Sequence, residues 1–258
     1  MNAKTLSSGT GSAPLAGRVA LVTGAGRNIG RAIALALARD GAHVAVNVRA
    51  SRGEGQAVVN DIIGAGGEAL LVQADVTQRT QVDAMIEAVR SRFDRLDILV
   101  NNAAIRHEAV FGEMTYAAWR SAFDVCVDGA FHCTQSAFEL LCASDAGAVI
   151  NIGGLTANTG AANRANVVSA KAALGGLTRA LAHDFAAHNI TVNCVSPGMI
   201  ATARSAAKPA HHATHQPLLA RRGQPDEVAS AVVWLAGPGG RFTTGQTIHV
   251  NGGAYLGD

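Results

Sequence analysis

Short apolar runs alternate along this chain with longer stretches in which apolar residues recur every three or four positions. The short runs, residues 19–23, 44–48, 69–73, 98–100, 149–152, 190–195 and 247–250, predict strands. The longer stretches, 29–39, 56–63, 81–93, 167–187 and 225–236, predict helices. Residues 116–141 predict one long helix that Gly129 could interrupt. Gly41 just after the first helix suits a helix C-terminus, and Pro225 followed by Asp226 and Glu227 suits a helix start.

Strands that are apolar throughout, each followed by a helix, imply a sheet covered on both faces. The expected fold is α/β, a Rossmann-type doubly wound parallel sheet of about seven strands in a single domain. No linker divides the chain. Residues 1–16 read as a flexible N-terminal tail and 17–258 as the domain. Residues 203–223 have weak periodicity and follow a strand end, where such sheets bind ligands, so they read as a possible substrate lid.

Composition narrows the classes. The chain of 258 residues is 48% hydrophobic but only 4% aromatic, which fits Ala-rich helices packed closely on a sheet. A net charge of +2, without basic runs interleaved with aromatics, argues against a nucleic-acid partner. No apolar stretch is long enough for a membrane span, and the N-terminus has no apolar signal core. The four cysteines, Cys126, Cys133, Cys142 and Cys194, form no C-x-x-C pair. Cys133 and Cys194 lie in apolar contexts and read as buried thiols, and the whole as a reduced, cytoplasmic protein.

The clearest motif is "TGAGRNIG" at 23–30. Gly24, Gly26 and Gly30 follow a strand and open a helix. Such a turn lets backbone approach a pyrophosphate, whose charge the helix N-terminus favours. With "NNAA" at 101–104, "SPGMIAT" at 196–202 and "HVNGG" at 249–253, this resembles the short-chain dehydrogenase/reductase family over about residues 17–257. Asn28 stands where the family has its middle glycine, and Ala104 where it has the glycine of NNAG.

The resemblance implies a dinucleotide cofactor and assembly as a homodimer or homotetramer. It places Gly24, Gly26, Arg27, Asn28, Ile29 and Gly30 at the phosphates, Asp75 and Val76 at the adenine, and Asn101 and Ala103 along the crevice. Pro197, Gly198, Ile200 and Thr202 fall at the nicotinamide end. Val48 occupies the strand-end position where an NAD-preferring site often carries a carboxylate, and Arg49 follows it. Arg27 and Arg49 together suit a 2′-phosphate, so NADP(H) is expected over NAD(H).

The family moves protons with Asn, Ser, Tyr and Lys. By resemblance these positions are Cys126, Gly154, Val167 and Lys171. Only the Lys is kept, and residues 155–170 contain no Tyr. Lys171 is a candidate catalytic residue and is expected to hold the nicotinamide ribose. Thr156 or Thr159 could supply a hydroxyl. His107, at the crevice lip, is a candidate acid. Arg106, His107, Gly154, Asn163 and Val167 are candidate substrate contacts, and Asn166 flanks the same point. His211 and His215 have helical metal-ligand spacing, but no adjacent glutamate or third ligand accompanies them, so a polar lid is the reading and no metal is expected.

Two functions follow from these residues. The first is an NADPH-dependent reductase with atypical proton supply, acting on a small organic C=N, activated C=C or C=O group. The second is a catalytically weak or inactive NADP(H)-binding sensor or partner protein.

Overall fold

The structure, a computed structural model, describes residues 13–202 and 215–257. Seven strands form one sheet in the order β3-β2-β1-β4-β5-β6-β7, and every neighbouring pair is parallel. The strands are β1 (Val19–Val22), β2 (His43–Val48), β3 (Ala69–Gln73), β4 (Ile98–Asn101), β5 (Ala148–Ile152), β6 (Thr191–Pro197) and β7 (Thr247–Val250). The expected doubly wound α/β fold is present. Strand order reverses between β1 and β4, which opens a crevice outside their carboxyl ends.

The helices are α1 (Asn28–Arg39), α2 (Arg52–Gly64), α3 (Arg79–Phe93), α4 (Tyr116–Phe123), α5 (Gly129–Cys142), α6 (Thr156–Thr159), α7 (Ala165–Phe185) and α8 (Pro225–Ala236). Two apolar cores flank the sheet. One joins β1, β2 and β5 to α1 and α8 through Val22, Ile33, Leu37, Val46, Val232 and Leu235. The other joins the opposite face to α3 and α5 through Leu21, Val82, Ile86, Leu99, Cys133 and Leu141. β1, β4 and β5 are buried along their whole length, which is why they read as unbroken apolar runs.

The predicted long helix is broken one turn earlier than Gly129. Asp124–Asp128 form a π-helical stretch between α4 and α5. The extra residue of such a turn lets α4 pack on α7 while α5 packs on α3 and β4. Gly129 itself is helical, and its missing Cβ admits Val76, whose Cγ2 would lie 2.7 Å from one. α2 starts at Arg52, four residues before the expected start, because polar Arg52 and Glu54 in its first turn carry no periodic signal. The short helix α6 and the 3-10 turn Phe111–Glu113 are too brief to show a period.

Residues 203–214 of the proposed lid, with His211 and His212, and residues 1–12 of the proposed tail lie outside the described residues. No described helix is long and apolar enough to cross a membrane. Among the described residues no group of His, Cys, Asp or Glu is placed to hold a metal.

Candidate active site

The crevice begins at the turn between β1 and α1. Gly24 has a φ of +62°, and a Cβ there would meet Ala103 Cα at 3.0 Å. At Gly30 a Cβ would lie 2.4 Å from Gly24 O and 2.5 Å from Asn102 Nδ2, so no side chain fits. Asn28 also has a positive φ, +51°. Asn tolerates the left-handed region better than most residues, which explains how it replaces a glycine. Arg27, the N-cap of α1, offers no side-chain acceptor to the first turn, and that turn holds no acidic residue. The positive end of α1 therefore faces the cleft without a built-in counter-charge.

Two asparagines hold this turn. Asn102 Nδ2 donates to Thr23 O at 2.8 Å and Gly24 O at 3.1 Å. Asn47 Oδ1 accepts from Gly24 N at 3.2 Å, while its Nδ2 donates to Ala74 O. Thr23 Oγ1 accepts from the backbone N–H of Asn102 and of Ala103. Asn47, Asn102 and Thr23 were not singled out from the sequence. Their signal was a polar side chain inside an otherwise apolar strand end.

An open cleft runs from this turn across the sheet. Gly24, Gly26, Arg27, Asn28, Ile29, Gly30, Arg49, Asp75, Val76, Ala103, Arg106 and Thr202, all singled out in the sequence, line it. Glu54 lines it too and lies 3.6 Å from Arg27, an ion pair half open to water. Asp75 Oδ1 accepts from Thr77 N and Thr77 Oγ1, which fixes its carboxylate at the end of β3.

Asn101 does not border the cleft. It is buried, and its Nδ2 donates to Thr134 Oγ1 at 3.1 Å and Asn151 Oδ1 at 2.9 Å. Strand alternation turns it into the sheet face and leaves the crevice to Asn102. Pro197 is buried and accepts from Leu155 N, and Gly198 packs against Asn251. Ile200 bridges to Gly223 and lines a separate small cavity with Glu227.

Lys171 Nζ donates to Ile152 O at 2.5 Å, which puts its ammonium at the carboxyl end of β5 beside Gly153 and Gly154. One turn earlier, Val167 is buried with Cys126, Ala122 and Ala170 in a small apolar cluster. A Cβ at Gly154 would meet nothing within 4 Å. Val167 and Cys126 are thus packed into an apolar cluster, and Gly154 leaves open space. Thr156 is buried, and Thr159 Oγ1 donates to Leu155 O and Gly160 O within its own turn.

Asn166 is fully buried; its Nδ2 donates to Ala118 O and its Oδ1 accepts from Val167 N. It ties α7 to α4 and does not face solvent. Asn163 is exposed with a φ of +59°, and its carbonyl accepts from Ala109 N at 3.0 Å. His107 is exposed, one residue beyond the cleft wall that ends at Arg106. Asp124 and Asp128 both accept from Arg120 Nη2, at 2.7 and 2.9 Å. Cys133 and Cys194 are buried as expected. Burial pushes the Cys133 thiol up to about 12, and it raises Cys194 against the opposing charge of Lys171.

A family profile described as Enoyl-(Acyl carrier protein) reductase matches residues 24–255. The chain is 41% identical to the 3-oxoacyl-[acyl-carrier-protein] reductase of Synechocystis sp., covering 94% of this chain and 98% of the relative. A 3-oxoacyl-[acyl-carrier-protein] reductase of Staphylococcus aureus is also 41% identical, over 92% and 98%. The fold matches a crystal structure of a short chain dehydrogenase from Burkholderia cenocepacia in complex with NADP, with TM-score 0.88 and 36% identity over 93% of this chain and 99% of that one. A dehydrogenase/reductase from Sinorhizobium meliloti matches with TM-score 0.90 and 37% identity, over 95% and 98%. The chain belongs to the short-chain dehydrogenase/reductase family, a class of oxidoreductases.

Proposed function

We propose that this protein is an NADPH-dependent reductase of a small organic C=N, activated C=C or polarised C=O group, and that it draws its proton from the substrate or solvent rather than from a Tyr. The carrying observation is a cleft lined by the glycine turn, Arg27, Arg49 and Asp75, together with Lys171 at the carboxyl end of β5, while Val167 and Cys126 are buried in an apolar cluster and Gly154 has no side chain. The NADP complex of the Burkholderia structure supports the choice of cofactor.

The residues present fit that group. A turn that excludes any Cβ at Gly30 admits backbone contact with a pyrophosphate, and the unopposed N-terminus of α1 favours its charge. Arg27 and Arg49 line the cleft where β2 ends and are assigned to a 2′-phosphate. Asp75 and Val76 are assigned to the adenine, Lys171 to the ribose hydroxyls near the reacting ring, and Thr202 to its amide. When bound, NADPH supplies a hydride.

The chain's own part is then positioning. Ala103, Ala104 and Ile105 line the cleft and are assigned to a wall over the reacting face. A protonated C=N substrate needs no acid from this wall. A carbonyl would take its proton from water or from exposed His107 at the mouth. The reading places the protein in the cytoplasm and includes self-association as a dimer or tetramer, which the exposed Phe131, Trp234 and Phe242 support.

Calorimetry with NADPH and NADH tests the cofactor, and NADPH consumption with a panel of cyclic imines, enones and ketones tests the chemistry. Tight NADPH binding with turnover of imine or enone is the expected result. Tight binding without any turnover points to the second reading, a cofactor-binding sensor or partner, which the loss of three side chains favours. No binding to either nucleotide overturns both.

A further inference from the structure

One carboxylate ties down the chain on both sides of Gly223. Glu227 stands in the first turn of α8, partly open to water. Arg221 Nη1 donates to its Oε2 at 2.8 Å, and Arg221 Nη2 to its Oε1 at 2.7 Å. Gln224 N donates to the same Oε2 at 2.7 Å. The Gln224 bond belongs to the cap of α8. The two-pronged contact from Arg221 adds nothing to that cap; it fixes the chain that leads into it. These bonds, the one from Arg221 foremost, hold the Glu227 carboxyl down at about 2, so the pair is charged throughout the neutral range.

Gly223 in turn holds the segment that follows β6. Its N–H donates to Met199 O at 2.9 Å, and its carbonyl accepts from Ala201 N at 2.8 Å. The two bonds flank Ile200 and end one residue before Thr202, which lines the dinucleotide cleft. The fit is close. A Cβ at Gly223 would lie 2.8 Å from Ile200 Cδ1 and 3.5 Å from Glu227 Oε2.

α8 gives this arrangement a fixed footing. It packs on α1, and its Val228, Val232 and Leu235 share one buried apolar core with Ile33 and Leu37 of α1. α1 begins at the glycine turn. The Arg221–Glu227 pair therefore refers the segment carrying Thr202 to the same two helices that carry the phosphate end of the cleft. An exposed ion pair adds little to folding stability, so removing it leaves the domain folded.

We infer that Arg221 and Glu227 are positioning residues for the nicotinamide end of the cofactor: their pair fixes Gly223, and Gly223, through Met199 and Ala201, sets Thr202. This rests on the proposed NADPH reading, in which Thr202 is assigned to the nicotinamide amide.

The test compares two ligands by calorimetry on the full chain. One is NADPH. The other is 2′-phospho-ADP-ribose, which has every part of the dinucleotide except the nicotinamide. The parent should prefer NADPH. Thr202→Val and Arg221→Ala should each lower that preference about 3- to 10-fold, the range of one hydrogen bond, and leave the affinity for 2′-phospho-ADP-ribose unchanged. Glu227→Gln keeps an acceptor for Gln224 N but loses the charged pair, and should behave like Arg221→Ala. Arg221→Lys keeps the charge without the fork and should restore part of the preference. If Arg221 acts through Thr202, the double variant Thr202→Val, Arg221→Ala should be no worse than either single one.

An Arg221→Ala protein that binds both ligands as the parent does, or loses affinity for both equally, would overturn the inference. So would additive losses in the double variant, because Arg221 would then act by another route. A parent that binds both ligands alike, with Thr202→Val changing neither, overturns the assignment of Thr202 and the inference with it, and leaves the cofactor reading standing. No binding of either ligand overturns the cofactor reading itself, and the inference falls too.

Discussion

At Asn28 a single torsion decides which residues are allowed. Its φ of +51° costs an ordinary L-residue about 1–2 kcal/mol, and β-branched side chains suffer most. Asn28→Gly should therefore leave thermal stability within about 1 kcal/mol of the parent, whereas Asn28→Val should lower it by about 1–2 kcal/mol in urea denaturation. Gly30→Ala is a harsher change, because the clash is with Gly24 O, a backbone atom that cannot move aside. It should cost about 2–3 kcal/mol and abolish measurable NADPH binding by calorimetry.

The same scale governs the altered acid positions. Gly154→Ser has open space to fill, so it should fold like the parent. Val167→Tyr must push into the cluster of Cys126, Ala122 and Ala170 and should cost about 1–3 kcal/mol. If lack of an acid limits carbonyl reduction, the double variant should reduce simple ketones about 100-fold faster than the parent in NADPH-consumption assays. A folded, NADPH-binding double variant with no gain would remove the missing acid as the explanation.

Among the elements, β1 and β4 depend on a buried carboxylate at their amino ends. Asp97 is fully buried; its Oδ2 accepts from Val19 N and Arg95, and its Oδ1 from Arg95 and Ser144. Burial alone would raise its pKa, but the hydrogen bonds from Arg95, Ser144 and Val19 outweigh it and hold the carboxyl below its ordinary value. Its contribution is thus present above about pH 4, the unfolded range for Asp, and is lost as pH falls through the lower folded value. Asp97→Ala should destabilise the protein by about 3 kcal/mol at pH 7 and by less in acid, as followed by urea unfolding at several pH values. Asp97 drew no notice in the sequence, because a lone Asp before a strand looks like an ordinary loop acid. The strands themselves were legible, since burial on both faces makes them short unbroken apolar runs. The π-helical stretch at Asp124–Asp128 was not, because its residues keep a helical mix of polar and apolar types and only the packing of α4 against α7 and of α5 against α3 requires the extra residue.

For the molecule as a whole, the cleft combines fixed charges from distant segments. Most of its lining was legible because the glycine turn and the strand-end motifs sit at fixed places in a doubly wound sheet. Glu54 was not, since nothing in its local sequence says which side chain it faces across the fold. Glu54 draws Arg27 towards itself at the end of the cleft assigned to a 2′-phosphate. Glu54→Gln should free Arg27 and raise NADPH affinity several-fold over NADH, with a gain that shrinks as salt is added, measured by calorimetry at two ionic strengths. Arg49→Ala should cut NADPH affinity about tenfold and leave NADH affinity nearly unchanged.

The all-parallel order of the sheet carries a cost in time. β1 is the third strand in space though it is the first to be made, and its inner edge stays bare until β4 has been synthesised. β4 in turn waits for β5, and β5 for β6. Each pairing links residues far apart in the chain, so folding should be slow for a domain of this size, and the nascent chain spends that interval with apolar strand edges open to its neighbours. Yield on production should therefore fall more steeply with synthesis rate and temperature than the stability of the finished protein would suggest.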